Sequence, residues 1–81
     1  MADFINRVTE HFDELTKSHK EVANYFLYNL DKVAVGTLED LAGLVGVSTT
    51  TVIRFARQLG YSGFTELQKD AQNLVLNQDM I

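Results

Sequence analysis

The stretch TLEDLAGLVGVSTTTVIRFARQL, residues 37–59, has the pattern of two short amphipathic helices joined by a tight turn. At about 100° per residue, the apolar side chains of a first helix over Leu38–Val45 gather on one face. Thr37 is a favourable N-cap for this helix. Gly46 follows at the position where helices that end in a left-handed residue favour glycine. The stretch therefore predicts a helix with its own start and stop signals.

The second half of the stretch predicts a helix with two sharply different faces. With Ser48 as its N-cap, this helix covers Thr49–Leu59 and ends before Gly60. Its apolar stripe lies within roughly 100° of arc and consists of Val52, Phe55, Ala56 and Leu59. The opposite side, within roughly 60° of arc, carries Thr50, Arg54 and Arg57. This layout is typical of a helix-turn-helix whose second helix enters the DNA major groove, although the corner of a helical bundle has the same bare outline.

Composition limits the chain to one small domain and excludes several classes of protein. The 81 residues are 46% hydrophobic and include neither cysteine nor proline, so disulfide scaffolds and thiolate zinc sites are excluded. No apolar run reaches the length of a membrane span. We therefore expect a soluble, cytoplasmic chain without a membrane partner.

The net charge of −4 opposes binding to nucleic acid, but the charges are unevenly distributed. Residues 48–61 contain two basic residues and no acidic one. Salt screens charges over about 8 Å under physiological conditions, so a local cationic face can act on an acidic domain. The overall charge predicts weak non-specific affinity.

The residues before the central stretch predict two further helices and a connector. Helical spacing of apolar residues indicates a first helix from Ala2 or Asp3 to about Leu15. A second helix runs to about Leu30, and both Thr16 and Ser18 are candidates for its N-cap. Asp31–Gly36 is expected to be a packed loop, because the short apolar run inside it has no plausible partner strand.

The residues after the central stretch predict one more helix and no hairpin. Apolar residues recur at helical intervals from Phe64 to about Leu76, and the chain beyond is expected to fray. A winged domain would require an alternating β-hairpin here. The sequence therefore predicts an all-α fold: a single five-helix domain over residues 1–81 that contains a helix-turn-helix and no β wing.

Residues 47–64, VSTTTVIRFARQLGYSGF, resemble the N-terminal domain of the RpiR family of bacterial transcriptional regulators. That family typically shows V-S-x-x-T-[VI]-x-R-F-x-[RK]-x-L-G-[FY]-x-G-F after an L-A-x-x-x-G-V segment. Residues 41–47, LAGLVGV, supply the latter. The resemblance covers nearly the whole chain and implies a helix-turn-helix repressor or activator of sugar-metabolism genes.

The resemblance also carries expectations about sites and partners. Such regulators usually bear a C-terminal sugar-isomerase-type domain that senses a phosphorylated sugar, so the chain is expected to be a fragment without that effector domain. The residues expected on the recognition helix are Ser48, Thr49, Thr50, Arg54 and Arg57. We expect the partner to be a double-stranded DNA operator, bound by a homodimer at a pseudo-palindromic site.

Individual roles follow from the chemistry of these side chains. The Arg54 guanidinium suits a bidentate pair of hydrogen bonds with guanine or a contact with a phosphate, and Arg57 suits a contact with a phosphate. Ser48 is first a helix cap, and it and the free amides beside it also suit phosphate. Thr49 and Thr50 suit a thymine methyl group or a phosphate. Tyr61 is expected to pack, with its hydroxyl as an alternative phosphate contact.

Two other functions receive less support from the sequence. His11 and His19 lie on different predicted helices without ligand spacing and are expected to be exposed, so we expect no catalytic residues, metal or cofactor. The alternative to DNA binding is an acidic helical protein-interaction or dimerisation module. The −4 charge and an apolar stripe of Phe4, Val8 and Phe12 motivate it, with the predicted helix 1 or helix 5 paired with a partner chain. The two functions combine if helix 1 is a dimer seam.

Overall fold

A computed structural model of the protein describes residues 3–78, with side chains through residue 76. Its helices are α1 (Phe4–His11), α2 (Lys17–Tyr28), α3 (Leu30–Val35), α4 (Leu38–Val45), α5 (Thr49–Gln58) and α6 (Phe64–Gln78). The described residues contain no strand, so the predicted all-α class without a β wing is confirmed there. No helix in this range is both long enough and apolar enough to span a membrane. The last helix continues to Gln78, two residues past the predicted end at Leu76, and the rest of the segment expected to fray lies outside the described residues.

The first two helices begin where short polar side chains cap them. Asp3 accepts a hydrogen bond from the Asn6 amide at 2.9 Å, and α1 ends at His11 rather than near Leu15. A 3₁₀ turn over Phe12–Glu14 follows. Thr16 is the N-cap of α2, because its hydroxyl accepts from the His19 amide at 3.2 Å. Of the two candidates for this cap, Thr16 is therefore correct and Ser18 lies inside the helix.

The expectation of a packed loop over Asp31–Gly36 is wrong, because most of this segment is the short helix α3. The domain thus has six α-helices within residues 3–78 instead of five. Two glutamines of α6 satisfy carbonyls at the C-terminal end of α3. Gln68 Nε2 donates to the oxygens of Val33 and Gly36 at 3.1 and 2.7 Å. Gln72 Nε2 donates to the oxygen of Ala34 at 2.9 Å. Tertiary packing thus stabilises a helix of 6 residues, which is too short to be stable by itself.

Three phenylalanines from three helices meet in the core. Phe4 of α1, Phe26 of α2 and Phe55 of α5 are fully buried, and their ring centroids lie 5.9–6.3 Å apart. Such tilted and edge-to-face pairs add to the stability that burial provides. The cluster attaches α5 to α1 and α2, the first two helices of the domain.

The same packing contradicts the idea of a dimer seam on the apolar stripe of the first helix. Phe4 and Val8 are 0% and 1% exposed, so their faces already lie against the core. Phe12 is half-buried and packs on that core. Phe4 and Val8, the part of the stripe that lies on α1, therefore face inward and are not available to a partner chain.

Candidate nucleic-acid interface

The corner between α4 and α5 is built by the residues that the sequence marks as caps. Gly46 has φ of +91°, the left-handed conformation that glycine adopts without a steric cost. The amides of Gly46 and Val47 both donate to the Ala42 carbonyl, at 2.9 and 3.0 Å. Ser48 Oγ accepts from the Thr51 amide at 3.1 Å and caps α5. The predicted helix over Leu38–Val45 is confirmed, and α5 ends one residue before the predicted limit of Leu59.

One face of α5 is packed against the rest of the domain. Val52, Phe55 and Ala56 are each fully buried. On α4, Leu41 and Ala42 are buried as well, at 1% and 2% exposure. Small residues at a helix contact allow the backbones to approach closely, and a close-packed interior is stiff. The buried side of α5 therefore determines which face of the helix is exposed.

The opposite face of α5 carries the predicted recognition residues. Thr50, Arg54 and Arg57 are all exposed. No hydrogen bond or ion pair from within residues 3–78 engages the guanidinium of Arg54. Arg57 Nε donates to the Ser62 carbonyl at 3.4 Å, which holds its guanidinium beside the α5–α6 loop. Two arginines thus project from one helix face without an acidic partner among the described residues.

The remaining two predicted residues lie at the N-terminal end of α5. Ser48 is exposed, and its hydroxyl is engaged both by the Thr51 amide and by the Thr51 hydroxyl, the latter at 2.9 Å. Its primary role is therefore that of a cap. Thr49 is half-buried. The first backbone N–H groups of a helix have no intrahelical acceptor, and the helix dipole there favours an anion.

Gln58 lies on the flank of the same face and was not among the predicted residues. Its Oε1 lies 2.7 Å from His19 Nδ1, and its Nε2 donates to the Glu14 carbonyl at 3.3 Å. The sequence could have indicated this placement, because Gln58 follows Arg54 by four residues and side chains four apart share a helix face. Gln58 connects the recognition helix to the start of α2.

The expectation of exposed histidines is wrong for His19, whereas the His11 side chain is 40% exposed. His19 is half-buried, and its ring meets Phe55 edge to face with centroids 6.0 Å apart. His11 lies 3.3 Å from the Glu14 carboxylate. No group of three or more potential metal ligands occurs in the described part of the chain.

The C-terminal end of α5 is held by residues distant in sequence. Gly60 has φ of +99°, and the amides of Gly60 and Tyr61 donate back to Arg57 and Ala56 at 3.0 and 3.1 Å. This is a Schellman motif, the commonest glycine-dependent helix ending. Arg7 Nη1 of α1 donates to the Leu59 carbonyl at 3.0 Å. The guanidinium carbon of Arg7 also lies 4.3 Å from the centroid of the Tyr61 ring.

Tyr61 is a core residue whose hydroxyl is already in use. It is 4% exposed, and its hydroxyl donates to Asp70 Oδ2 at 2.6 Å. Burial of the phenol, and then the hydrogen bond and negative charge of Asp70, raise its pKa far above the ordinary value. The expectation that Tyr61 packs is confirmed, and its hydroxyl is directed to Asp70 instead of a phosphate.

Comparison with known proteins identifies the family. The helix-turn-helix domain of the rpiR family matches residues 2–74. The HTH-type transcriptional regulator HexR of Pseudomonas aeruginosa is 34% identical over 68 residues, which cover 84% of this chain and 24% of HexR. The chain spans about a quarter of the length of the curated relatives it matches.

Two solved structures share the fold. The N-terminal domain of ybbH from Bacillus subtilis superposes with a TM-score of 0.78 at 25% identity, covering 84% of this chain and 83% of that one. The Vibrio vulnificus NanR protein complexed with ManNAc-6P gives a TM-score of 0.82 at 31% identity, over 96% of this chain and 30% of NanR. The protein belongs to the rpiR family of helix-turn-helix domains.

Proposed function

We propose that this chain binds double-stranded DNA sequence-specifically and is the DNA-binding part of a transcriptional regulator of sugar metabolism. The observation that carries the proposal is the exposed face of Thr50, Arg54 and Arg57 on a helix whose other face is buried. A helix supported in this way fits the major groove, and the rigid corner before it fixes the angle of entry. The proposal assigns the protein to the bacterial cytoplasm, where chromosomal DNA lies.

The roles that we propose divide between base reading and backbone contact. Arg54 is exposed and has no competing partner within residues 3–78, so its guanidinium is available for the O6 and N7 atoms of a guanine. Arg57 is held by the Ser62 carbonyl, and its remaining N–H groups suit a phosphate at the edge of the groove. Thr49, Thr50 and the amides that follow Ser48 approach the groove first and suit a thymine methyl group or a phosphate.

Dimerisation and effector binding complete the proposal at the level of the whole regulator. A net charge of −4 makes non-specific attraction to DNA weak, so two copies on a two-fold-related site would supply the affinity that one lacks. The relative NanR was solved with ManNAc-6P, and this chain covers 30% of it. We infer that a sugar phosphate is the effector and that it binds a separate C-terminal domain.

Selection from random-sequence duplex DNA tests the proposal. The chain, alone and fused to a constitutive dimeriser, is incubated with the random pool, and the bound duplexes are sequenced. We expect the dimerised form to enrich a pseudo-palindrome with half-site centres about 34 Å, or a multiple of that, apart. The matched control is Arg54→Ala, which should enrich a less defined sequence. The absence of any enriched sequence from both wild-type forms would contradict the proposal.

A further inference from the structure

The C-terminal end of the recognition helix is held by a chain of three side chains from three parts of the domain. Arg7 of α1 donates to the Leu59 carbonyl, the last carbonyl at the end of α5, at 3.0 Å. The same guanidinium lies over the Tyr61 ring. Tyr61 in turn donates to Asp70 of α6 at 2.6 Å. This set of Arg7, Tyr61 and Asp70 is called the clamp below.

The chemistry of the clamp suits the end of a helix. The last carbonyls of an α-helix have no intrahelical donor, and the helix dipole there favours a cation. The amides of the Schellman motif donate hydrogen bonds to the carbonyls of Ala56 and Arg57. Arg7 provides both a hydrogen bond and a positive charge to the carbonyl of Leu59, which lies beyond those two. The planar guanidinium can donate in its plane while it stacks on an aromatic face, a combination that lysine cannot provide.

The local backbone leaves space for this arginine. At Gly60, a Cβ atom would stand 2.9 Å from Arg7 Nη1. The φ of +99° favours glycine at this position, and a side chain there would also displace the guanidinium of Arg7. The clamp, the glycine and the helix end form one unit.

We propose that Arg7 is a positioning residue for DNA binding: through the clamp it sets the place of the C-terminal half of α5 and thereby of Arg54 and Arg57. This inference rests on the proposed function, because it concerns the same interface. Arg57 lies two residues before Leu59, and its Nε donates to the carbonyl of Ser62, the residue that follows Tyr61. A shift of the helix end therefore moves the two arginines together relative to the corner at Ser48.

Arg7→Gln tests the proposal, since it removes the cation and the stacking plane but keeps a donor. The probe is the duplex that the wild-type chain selects most strongly from random-sequence DNA. Affinity is measured at a temperature at which circular dichroism shows the variant fully folded, and the salt dependence is measured beside it. We expect binding to weaken about threefold to thirtyfold, with the slope of log K against log salt unchanged and non-specific affinity less affected.

Lys32→Gln is the matched control, because it makes the same change in charge at an exposed position of α3. It should bind as the wild type does. Tyr61→Phe, which removes the hydrogen bond to Asp70 and keeps the ring, should weaken binding in the same direction with the same slope. If Arg7→Gln does not fold, Tyr61→Phe takes its place in the test.

Three results would overturn the inference. One is wild-type affinity in a folded clamp variant. Another is a slope of log K against log salt that is smaller in magnitude by about 0.9 in Arg7→Gln, which would identify Arg7 itself as a phosphate contact. The third is an equal loss in Lys32→Gln. If neither the wild-type chain nor its dimerised form selects a duplex, the proposed function is refuted instead, so the two failures are distinguishable.

Discussion

The ring of Phe55 meets the ring of Phe26 edge to face, with centroids 5.9 Å apart and planes at 88°. Phe55 belongs to the recognition helix and Phe26 to α2, and both are fully buried. The contact therefore links the surface proposed for DNA to the centre of the core. The stability of the fold and the position of the proposed DNA-binding face therefore both depend on Phe55, whose ring lies directly behind that face.

Phe55→Leu should lower the free energy of unfolding by about 1–3 kcal/mol, because leucine fills less of the site and removes three ring contacts. Chemical denaturation measures the change. Leu44→Ala is the control, since Leu44 is 58% exposed and should change stability by less than about 0.5 kcal/mol. Equal stability of Phe55→Leu and wild type would contradict the central role of this ring.

Arg54→Ala should weaken specific binding by about 1–3 kcal/mol and relax the base preference at one position of the site, because a bidentate guanine contact is lost. Affinities for single-base variants of the selected duplex measure both effects. Circular dichroism must show a folded variant, since the arginine stem also covers apolar surface. A folded Arg54→Ala variant with wild-type affinity and base preference would remove this residue from the interface.

Arg57→Ala should weaken binding to all sequences alike and lower the magnitude of the salt slope by about 0.9, because one phosphate contact is lost. The measurement is the affinity for selected and unrelated duplexes across a salt series. Arg57→Lys keeps the charge and should retain most of the slope. A change in base preference at one position would instead identify Arg57 as a base reader.

Gln68→Met should destabilise the fold by about 1–3 kcal/mol, because two carbonyls at the end of α3 lose their donor while the side-chain volume is nearly kept. Denaturation is again the measurement, and Asn73→Ala at an exposed position of α6 is the control. Hydrogen exchange should show α3 opening more readily in Gln68→Met. Unchanged protection of α3 would show that these hydrogen bonds do not hold the helix.

The raised pKa of Tyr61 predicts a stability change confined to alkaline pH. The folded state holds the phenolic proton more tightly than the unfolded chain, in which tyrosine titrates near pH 10. The stability from this group is therefore complete below about pH 10 and is lost as the pH rises further, by up to about 1.4 kcal/mol per pH unit. Thermal unfolding of wild type and Tyr61→Phe measures the difference. Parallel pH profiles above pH 10 would contradict it.

The helix-turn-helix corner could be read from the sequence because its signals are local. Thr37 and Ser48 accept from the amides of Asp40 and Thr51, each three residues on. Gly46 and Gly60 take the only positive φ values among the described residues. Caps, left-handed glycines and the 3.6-residue period act within a few residues of one another, so the sequence by itself determined where α4 and α5 lie and which face of α5 is exposed.

Tertiary structure decided what depends on residues far apart in the chain. The residues Leu30–Val35 are helical because glutamines more than 30 positions later reach their carbonyls. Arg7 reaches Leu59 across 52 positions, and His19 reaches Gln58 across 39. Periodicity and capping report the preferences of neighbouring residues only. Which distant donor satisfies a given carbonyl depends on how the helices pack, and that is settled only when the core forms.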